Sequence, residues 1–174
     1  AQLQCFAVPP PAELLRLHTF CDWNISTWSS DDASNVCDWE FIDCNSENTH
    51  VQSLLILPST FYSFGCDLTL LDSSSGFSSE NLAYLETWHL ANLELSGTIP
   101  ASFFTFRSLL DINLAQNSFV GTLSDYAIES PALESLSLYN NQLTGPLCDL
   151  TRHTRIASID ISGNHFSGDL TVRL

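Results

Sequence analysis

The sequence between Leu82 and Leu170 repeats one pattern of apolar residues four times. Its anchor positions recur in steps of 24, 24 and 23 residues, at Leu85, Leu109, Leu133 and Ile156. A constant period of this length is typical of proteins built from stacked, nearly identical coils. Because a single coil of this size cannot bury its own apolar residues, each coil must pack on its neighbours. The chain is therefore predicted to fold as a solenoid.

Each coil is predicted to contain a short strand that ends in a turn. In the third copy, leucines alternate with polar residues from Leu133 to Leu138, as they do in a half-buried strand. Asn141 follows where the chain leaves this strand, and its amide is expected to bond backbone groups of its own coil and of the next coil. The first copy has Leu93 at this position, so a ladder of asparagines is expected to be shifted or broken there. The second and fourth copies hold Asn117 and Asn164 at this position.

A second element follows the strand in each copy and reads LxGxIP at residues 95–100. Together with the strand pattern LxxLxLxxN, it resembles the plant-specific class of leucine-rich repeats, in which a second short sheet lies beside the concave one. The segment from Cys37 to Cys44, CDWEFIDC, is similar to the CxWxGVxC motif in the N-terminal caps of plant-type leucine-rich-repeat ectodomains. The resemblance covers residues 12–170. It implies an α/β solenoid, namely a right-handed leucine-rich-repeat solenoid with a parallel β-sheet on the concave face and an N-terminal disulfide cap.

This resemblance divides the chain into an N-terminal cap at residues 1–50 and about five leucine-rich repeats at residues 51–174. The cap is expected to contain a short amphipathic helix from Ala12 to about Trp28. The first coil begins at Val51, but the next equivalent anchor comes some ten residues late, which indicates an insertion at residues 58–81. Either this extra length is expelled as a functional loop on one face, or it is a degenerate repeat whose aromatic residues pack under the cap.

The six cysteines lack CxxC and His/Cys metal spacings, so they indicate disulfides in an oxidising compartment and no metal site. The cap resemblance implies a Cys37–Cys44 bridge, with Trp39 lying over the first coil as a lid. Cys5 is expected to pair with Cys21, because both lie in the cap. Cys66 with Cys148 would use the remaining two, but their coils lie roughly 14 Å apart at sheet-like spacing, beyond disulfide reach unless the insertion folds across. Otherwise one cysteine is free or pairs with another chain.

The charge balance restricts the possible partners. Five Lys and Arg residues stand against twenty Asp and Glu residues, a formal charge of -15. Nucleic acids and anionic membranes require clustered cations, so neither is expected as a partner. No apolar run reaches the length of a membrane span. A cationic partner or a Ca²⁺-rich medium is compatible with this acidity, but the favoured explanation is that acidity keeps a secreted protein soluble.

Several features indicate an extracellular, secreted or cell-surface location. The printed chain contains no methionine and begins without the charged and apolar regions of a signal peptide, as a mature chain does after processing. Asn24 begins an Asn-Ile-Ser sequon and is a candidate glycosylation site. The last coil has neither a cysteine pair nor a polar closing helix, so the chain is expected to be a fragment of a longer array or to have that end covered by something else.

No catalytic motif or cofactor fingerprint occurs, and the five histidines are scattered, so the chain is predicted to be neither an enzyme nor a cofactor protein. Binding is instead expected on the concave strand face, where residues of successive coils align in columns. The first column contains Ser53, Thr87, Asp111, Ser135 and Ser158. The second contains Leu55, His89, Asn113, Ser137 and Asp160, and the third Leu57, Ala91, Ala115, Tyr139 and Ser162. The candidate binding residues are Thr87, His89, Asp111, Asn113, Tyr139 and Asp160.

A face with one tyrosine and no arginine is a weak protein-binding surface, so a plain solvated sheet is a competing interpretation. The leading hypothesis is an extracellular, non-enzymatic module that recognises a protein, peptide or glycan partner. Receptor kinases, receptor-like proteins and polygalacturonase inhibitors carry similar modules, and similar repeats occur on protist surface antigens. The alternative is a structural subunit that self-associates end to end, head to tail, through its uncapped last coil into a filament or coat.

Overall fold

Two sheets of short strands, joined coil by coil, form the protein. The computed structural model describes Cys21, Ile25 and residues 35–58, 65–69, 82–123, 130–147, 150 and 154–168. The long sheet has the order β1-β2-β3-β5-β7-β9 and comprises Ile42–Cys44, Val51–Leu55, Thr87–His89, Asp111–Asn113, Ser135–Ser137 and Ser158–Asp160. The short sheet has the order β4-β6-β8-β10 and comprises Ser96–Thr98, Ser118–Thr122, Gln142–Pro146 and His165–Ser167.

All pairings within both sheets are parallel except that of β1 with β2, which is antiparallel. The predicted solenoid with parallel sheets is therefore confirmed. The helical part of the α/β assignment is not, because the helices of the described residues are two 3₁₀ turns, Val36–Asp38 and Ala101–Phe104. The helix predicted from Ala12 to Trp28 lies outside the described residues except at Cys21 and Ile25.

The predicted apolar spine runs through the stack. Leu85, Leu109 and Leu133 are completely buried, and Trp88 occupies the second inward position of its coil. Its ring contacts Phe103 and Phe106 of the same coil, with ring centroids 4.9 Å and 5.3 Å away. In the last coil the equivalent apolar residues are only partly buried, because no described coil covers them; they are Ile156, Ile159, Ile161 and Phe166.

The asparagine ladder bonds its own coil as predicted, since Asn141 Nδ2 donates to the Leu138 carbonyl at 3.0 Å, but its other bonds go to the preceding coil instead of the next one. Asn141 Oδ1 accepts a hydrogen bond from the Phe119 amide at 3.1 Å, and Nδ2 donates to the Leu114 carbonyl at 3.0 Å, both one coil earlier. The prediction of bonds to the next coil was wrong. Each asparagine lies beside the turn between the two strands of the preceding coil, and the backbone groups of that turn have no partner within their own coil's strands. Leu93 holds the ladder position of its own coil, and its amide is bonded by Asn117 at 3.1 Å.

The N-terminal cap closes the first end of the long sheet. Cys37 and Cys44 form the predicted disulfide, with a Cα–Cα distance of 5.5 Å, and Trp39 is buried in the same core as the first coil. Strand β1 pairs antiparallel with β2, so the first parallel strand does not present an open edge.

The second disulfide differs from both tentative pairings. Cys21 bonds Cys66, with a Cα–Cα distance of 5.2 Å, so the Cys5–Cys21 and Cys66–Cys148 pairings are wrong. Their failure has a physical cause: Cys66 lies in the first coil, next to the cap, whereas Cys148 follows β8 three coils later. Cys5 and Cys148 themselves lie outside the described residues.

Part of the predicted insertion belongs to the stack. Asp67 bridges Ser96 in parallel, the Ser96 amide donates to the Cys66 carbonyl at 2.7 Å, and the Leu68 amide donates to the Ser96 carbonyl at 2.9 Å. Residues 66–69 thus act as the first rung of the short sheet, with Leu68 buried. Residues 59–64 and 70–81 of the insertion, and Asn24 of the predicted sequon, are outside the described residues.

Candidate functional site

The register of the long sheet brings the predicted candidate residues onto one face. Thr87 pairs with Asp111, and His89 with Asn113, across neighbouring parallel strands. The buried residue between them in each strand points into the core, so the flanking residues point outwards. The first two predicted columns continue through the sheet in this register, from Ser53 to Ser158 and from Leu55 to Asp160.

The third column extends beyond the strand ends, and backbone hydrogen bonds keep its coils aligned. The Asn92 amide donates to the Ala115 carbonyl at 2.9 Å, and the Gln116 amide donates to the Tyr139 carbonyl at 2.7 Å. Tyr139 is 40% exposed beside this alignment. The outward surface formed by the three columns is called the long-sheet face below.

Two candidate residues contact each other in the centre of the long-sheet face. His89 Nε2 lies 2.8 Å from Asp111 Oδ2, and the two side chains are 23% and 38% exposed. The His89 ring and the Asp111 carboxylate therefore restrain each other, while both side chains stay partly accessible to a ligand. At this exposure an ion pair contributes less than about 1 kcal/mol to folding, so the pair is better suited to orienting polar groups than to holding the coils together.

Asp160 and Asn113 use their side chains to fix the turn that follows their strands. Asp160 Oδ1 accepts hydrogen bonds from the Ser162 amide at 3.0 Å and the Ser162 hydroxyl at 2.6 Å. These bonds favour the ionised form and lower the pKa of the Asp160 carboxyl. Asn113 Oδ1 accepts from the Ala115 amide at 3.1 Å in the same manner. Asp160 therefore presents a fixed negative charge at one end of the face.

The repeat pattern predicts the members of the third column but not which of them are exposed. Leu57 is 55% exposed and Tyr139 is 40% exposed, whereas Ala91 is half-buried and Ala115 is buried. The apolar surface that this column offers to a partner is therefore concentrated at Leu57 and Tyr139.

The charges on the long-sheet face are acidic. Its three columns contain no Lys or Arg, and Asp43 of β1 extends the first column because it pairs with Ser53. Glu86 and Glu134 lie one position before the first column; Glu86 accepts from Gln52 Nε2 at 2.7 Å, and Glu134 pairs with Arg155. The accessible potential of this face is therefore negative.

A second feature missed by the sequence analysis lies at the edge of the long sheet. The rings of His50 and Tyr84 stack with centroids 4.0 Å apart, and Tyr84 is one of the most exposed large apolar residues. The two residues are 34 positions apart, and only the long first coil brings them side by side, so no local pattern indicated the contact.

Neither metal chemistry nor a membrane span is indicated within the described part of the chain. No three His, Cys, Asp or Glu residues there are grouped as potential metal ligands. Among the same residues no helix has the length and apolar character needed to cross a bilayer.

The chain is similar to known leucine-rich-repeat proteins. The family model described as Leucine Rich Repeat matches residues 132–153. Receptor like protein 21 of Arabidopsis thaliana is 36% identical over a region that covers 87% of this chain and 18% of that protein. The chain spans only 13% to 18% of the length of such curated relatives.

Solved structures share the fold over nearly the whole chain. The crystal structure of the BIR3–SERK2 complex from Arabidopsis thaliana superposes with a TM-score of 0.69 at 24% identity, covering 90% of this chain and 82% of that one. The ectodomain of the plant receptor kinase GASSHO1/SCHENGEN3, in complex with CASPARIAN STRIP INTEGRITY FACTOR 2, superposes with a TM-score of 0.62 at 22% identity, covering 89% of this chain and 21% of that one.

Proposed function

This chain is an extracellular leucine-rich-repeat protein of the plant type, and on that premise we propose that it is a non-enzymatic recognition module. It binds a protein, peptide or glycan partner through the long-sheet face. The candidate contacts are Thr87, His89, Asp111, Asn113, Tyr139 and Asp160.

The observation that carries this proposal is the alignment of polar side chains on one accessible face. His89 and Asp111 restrain each other at 2.8 Å, and Asp160 is restrained by Ser162, so their polar atoms are presented in set positions before a partner arrives. Preorganised groups lose less conformational entropy on binding than mobile surface side chains. A plain solvated sheet has no need for such restraint.

The similar proteins support a recognition role. The GASSHO1/SCHENGEN3 ectodomain, which shares this fold, was crystallised in complex with CASPARIAN STRIP INTEGRITY FACTOR 2, and BIR3 in complex with SERK2. The relatives found by sequence are receptor-like proteins, and this chain matches only a small part of their length. A recognition role for the coils present here is consistent with both.

An alanine scan of the six candidate residues tests the proposal. Binders for the purified chain are first selected from a displayed random-peptide library and from a glycan array. We expect alanine at His89, Asp111 or Tyr139 to weaken the selected binders by about ten-fold, which corresponds to about 1.4 kcal/mol. Alanine at Thr98 or Thr122, on the short sheet, serves as the control and should leave affinity unchanged.

The same scan separates recognition from a solvated sheet. Because His89 and Asp111 are partly exposed, their removal should cost less than about 1 kcal/mol of folding stability. Lost binding with retained stability supports recognition. Binding that survives all six substitutions would remove the long-sheet face from consideration.

Head-to-tail assembly, in which the coil at residues 154–168 would join the cap of another copy, is the second candidate. An end-to-end joint requires a complementary surface at the other end, but there Trp39 and Ile42 are buried and β1 presents the exposed Asp43. Recognition is therefore the better-supported function. Light scattering of the purified chain at high concentration tests the alternative: growth with concentration would favour assembly, and a strict monomer would exclude it.

A further inference from the structure

We propose that the edge at which the strands of the long sheet begin carries a docking site for an arginine side chain of a partner protein. The guanidinium of this arginine stacks on Tyr84 and pairs with Glu86. Neither residue is one of the six candidate contacts of the long-sheet face, so this inference goes beyond the recognition role proposed above.

Tyr84 provides the stacking surface. Its ring stacks on that of His50 in the preceding coil, with centroids 4.0 Å apart, and the Thr49 hydroxyl lies 3.0 Å from His50 Nδ1. Because β3 lies between β2 and β5 in the sheet, the other face of the Tyr84 ring points towards the following coil. The equivalent residue of that coil is Ser108, whose hydroxyl donates to the Ala83 carbonyl at 2.7 Å. Beside this short side chain, Tyr84 is 58% exposed.

Glu86 provides the negative charge. Its carboxylate accepts a hydrogen bond from Gln52 Nε2 at 2.7 Å, which restrains the carboxylate but does not neutralise it. No Lys, Arg or His side chain among the described residues forms an ion pair with Glu86. The formal charge of -15 on the whole chain adds a long-range attraction for cationic partners.

The solenoid contains a second arrangement of this kind, in which the chain itself supplies the guanidinium. Glu134 has the position of Glu86 two coils later, and its carboxylate pairs with Arg155 of the coil that follows. The Glu86 carbonyl accepts from the Asp111 amide, and the Glu134 carbonyl accepts from the Ser158 amide, both at 3.1 Å. Each glutamate therefore has the same backbone relationship to the coil that follows it.

Ser108 has the place of Arg155 in the coil that follows Glu86, because each is the residue directly before the apolar anchor of its coil. Serine carries no cation, and the Ser108 hydroxyl is bonded to Ala83. A partner must therefore supply the guanidinium that pairs with Glu86. Arg155 shows that an arginine side chain from this position on the surface fits against such a glutamate.

Arginine suits this site better than lysine does. Its planar guanidinium stacks on an aromatic ring, and its fork of N–H donors bonds a carboxylate at the same time, whereas the lysine ammonium is a strongly hydrated point charge. Tyr84 and Glu86 lie two residues apart, on either side of the buried Leu85, which corresponds to about 7 Å in an extended chain. One arginine side chain is long enough to contact both.

An NMR titration of the isotope-labelled chain with small single-residue probes tests this inference. The probes are acetyl-arginine methylamide, the corresponding lysine compound, and the citrulline compound, which has the planar shape of arginine without its charge. We expect the arginine probe to shift the amide signals of Tyr84 and Glu86 and to reach saturation. The lysine probe should bind about three-fold more weakly and the citrulline probe about five-fold more weakly.

A substitution outside the two contact residues gives the sharpest variant. Ser108→Arg supplies a guanidinium from the position that Arg155 has in the last coil. We expect this guanidinium to pair with Glu86 and to lower the affinity for the arginine probe about five-fold. Ser108→Ala is the matched control, because it removes the same hydroxyl without adding a cation, and it should leave the affinity unchanged.

Variants of the contact residues separate the two interactions. Glu86→Gln removes the charge and should lower the affinity about three-fold, whereas Glu47→Gln, which changes the net charge equally at an exposed position of the cap, should not. Tyr84→Ser removes the ring and should also lower the affinity about three-fold, whereas Tyr84→Phe keeps the ring and should retain binding. Thermal melting verifies that all the variants fold.

The outcomes distinguish this site from the long-sheet face. A preference for the arginine probe that Ser108→Arg, Glu86→Gln and Tyr84→Ser weaken, and that the three controls keep, supports the inference. Equal binding of the arginine and lysine probes, binding that Ser108→Arg leaves intact, or unchanged signals at Tyr84 and Glu86 would overturn it. None of these results bears on the alanine scan of the six candidate residues, so the recognition role stands or fails separately.

Discussion

Thr122 of one coil covers Gly145 of the next, so closely that a Cβ added to Gly145 would lie 2.6 Å from Thr122 Cγ2. Gly145 has a φ of 81°, a left-handed conformation that disfavours any residue with a side chain. Thr98 approaches Gly121 in the same way, at 3.2 Å. The short sheet therefore packs closely at these two places, because Gly121 and Gly145 leave space for the threonine of the preceding coil.

Gly145→Ala should consequently destabilise the fold more than Gly168→Ala. Both glycines have nearly the same φ, 81° and 84°, but a Cβ at Gly168 would meet nothing within 4 Å. The shared conformational strain costs about 1–2 kcal/mol, and the clash with Thr122 adds about 1–3 kcal/mol at Gly145 alone. Urea denaturation measures both variants. Equal losses would mean that the coils do not approach as closely as the structure has them.

Asn141→Ala should cost about 1–3 kcal/mol of the free energy of unfolding. The substitution leaves the amide of Phe119 without its partner inside the core, whereas the carbonyl of Leu114 keeps the hydrogen bond that Asn117 Nδ2 donates at 3.1 Å. Asn164→Ala is the matched control: it makes the same kind of bonds at 3.0 Å and 2.8 Å, but it lies in the more exposed last coil, where water can replace them. A larger loss for Asn164→Ala would contradict this account of the ladder.

The direction of that ladder shows what sequence reasoning reached and what it did not. The period of the leucines was sufficient to predict the columns of the long-sheet face, because register in a parallel stack follows from equal coil lengths. The partner coil of Asn141 was predicted on the wrong side, since a single sequence does not tell on which side the unpaired backbone groups lie. The exposure of single side chains, such as the 55% of Leu57, could not be predicted, because the pattern of residues does not supply it.

The disulfide pairing failed for a different reason. Connectivity depends on which cysteines the folded chain brings together, and the decisive fact was that residues 66–69 form a rung of the short sheet beside β4. The long first coil concealed this rung, because its position does not follow the period of the later coils. The local Cys37–Cys44 bridge needed no such information.

Replacing Cys21 and Cys66 together by serine should destabilise the protein by about 4 kcal/mol. The estimate follows from the chain entropy of a loop whose ends are 45 residues apart. The Cys37–Cys44 bridge spans only 7 residues, so its removal should cost less, about 2.5 kcal/mol. Chemical denaturation compares the two double variants, and a non-reducing peptide map checks the pairing. A map with Cys5 linked to Cys21 would contradict the structure.

Stability should fall as the pH is lowered, and two carboxylates should contribute to the loss. Hydrogen bonds from Thr69 lower the pKa of Asp67, and hydrogen bonds from Ser162 lower the pKa of Asp160, both from an ordinary value of 3.8. When the pKa of a carboxyl is lower in the folded state than in the unfolded state, the ionised carboxyl stabilises the fold. This stabilisation is complete above the pKa of the unfolded state and is lost as the pH falls through the pKa of the folded state. Melting temperatures of Asp67→Asn and Asp160→Asn between about pH 6 and about pH 2 should therefore decline less than that of the parent chain. Parallel declines would mean that these bonds do not form.

The most direct test of the long-sheet face is an NMR titration of the isotope-labelled chain with a peptide selected from the displayed library. We predict that backbone amide shifts change at Thr87, His89, Asp111, Asn113, Tyr139 and Asp160. Those of Ser96, Thr98, Val120 and Thr122 on the short sheet should remain unchanged, since these residues lie on the other sheet. Shift changes confined to the short sheet, or to the last coil, would contradict the account.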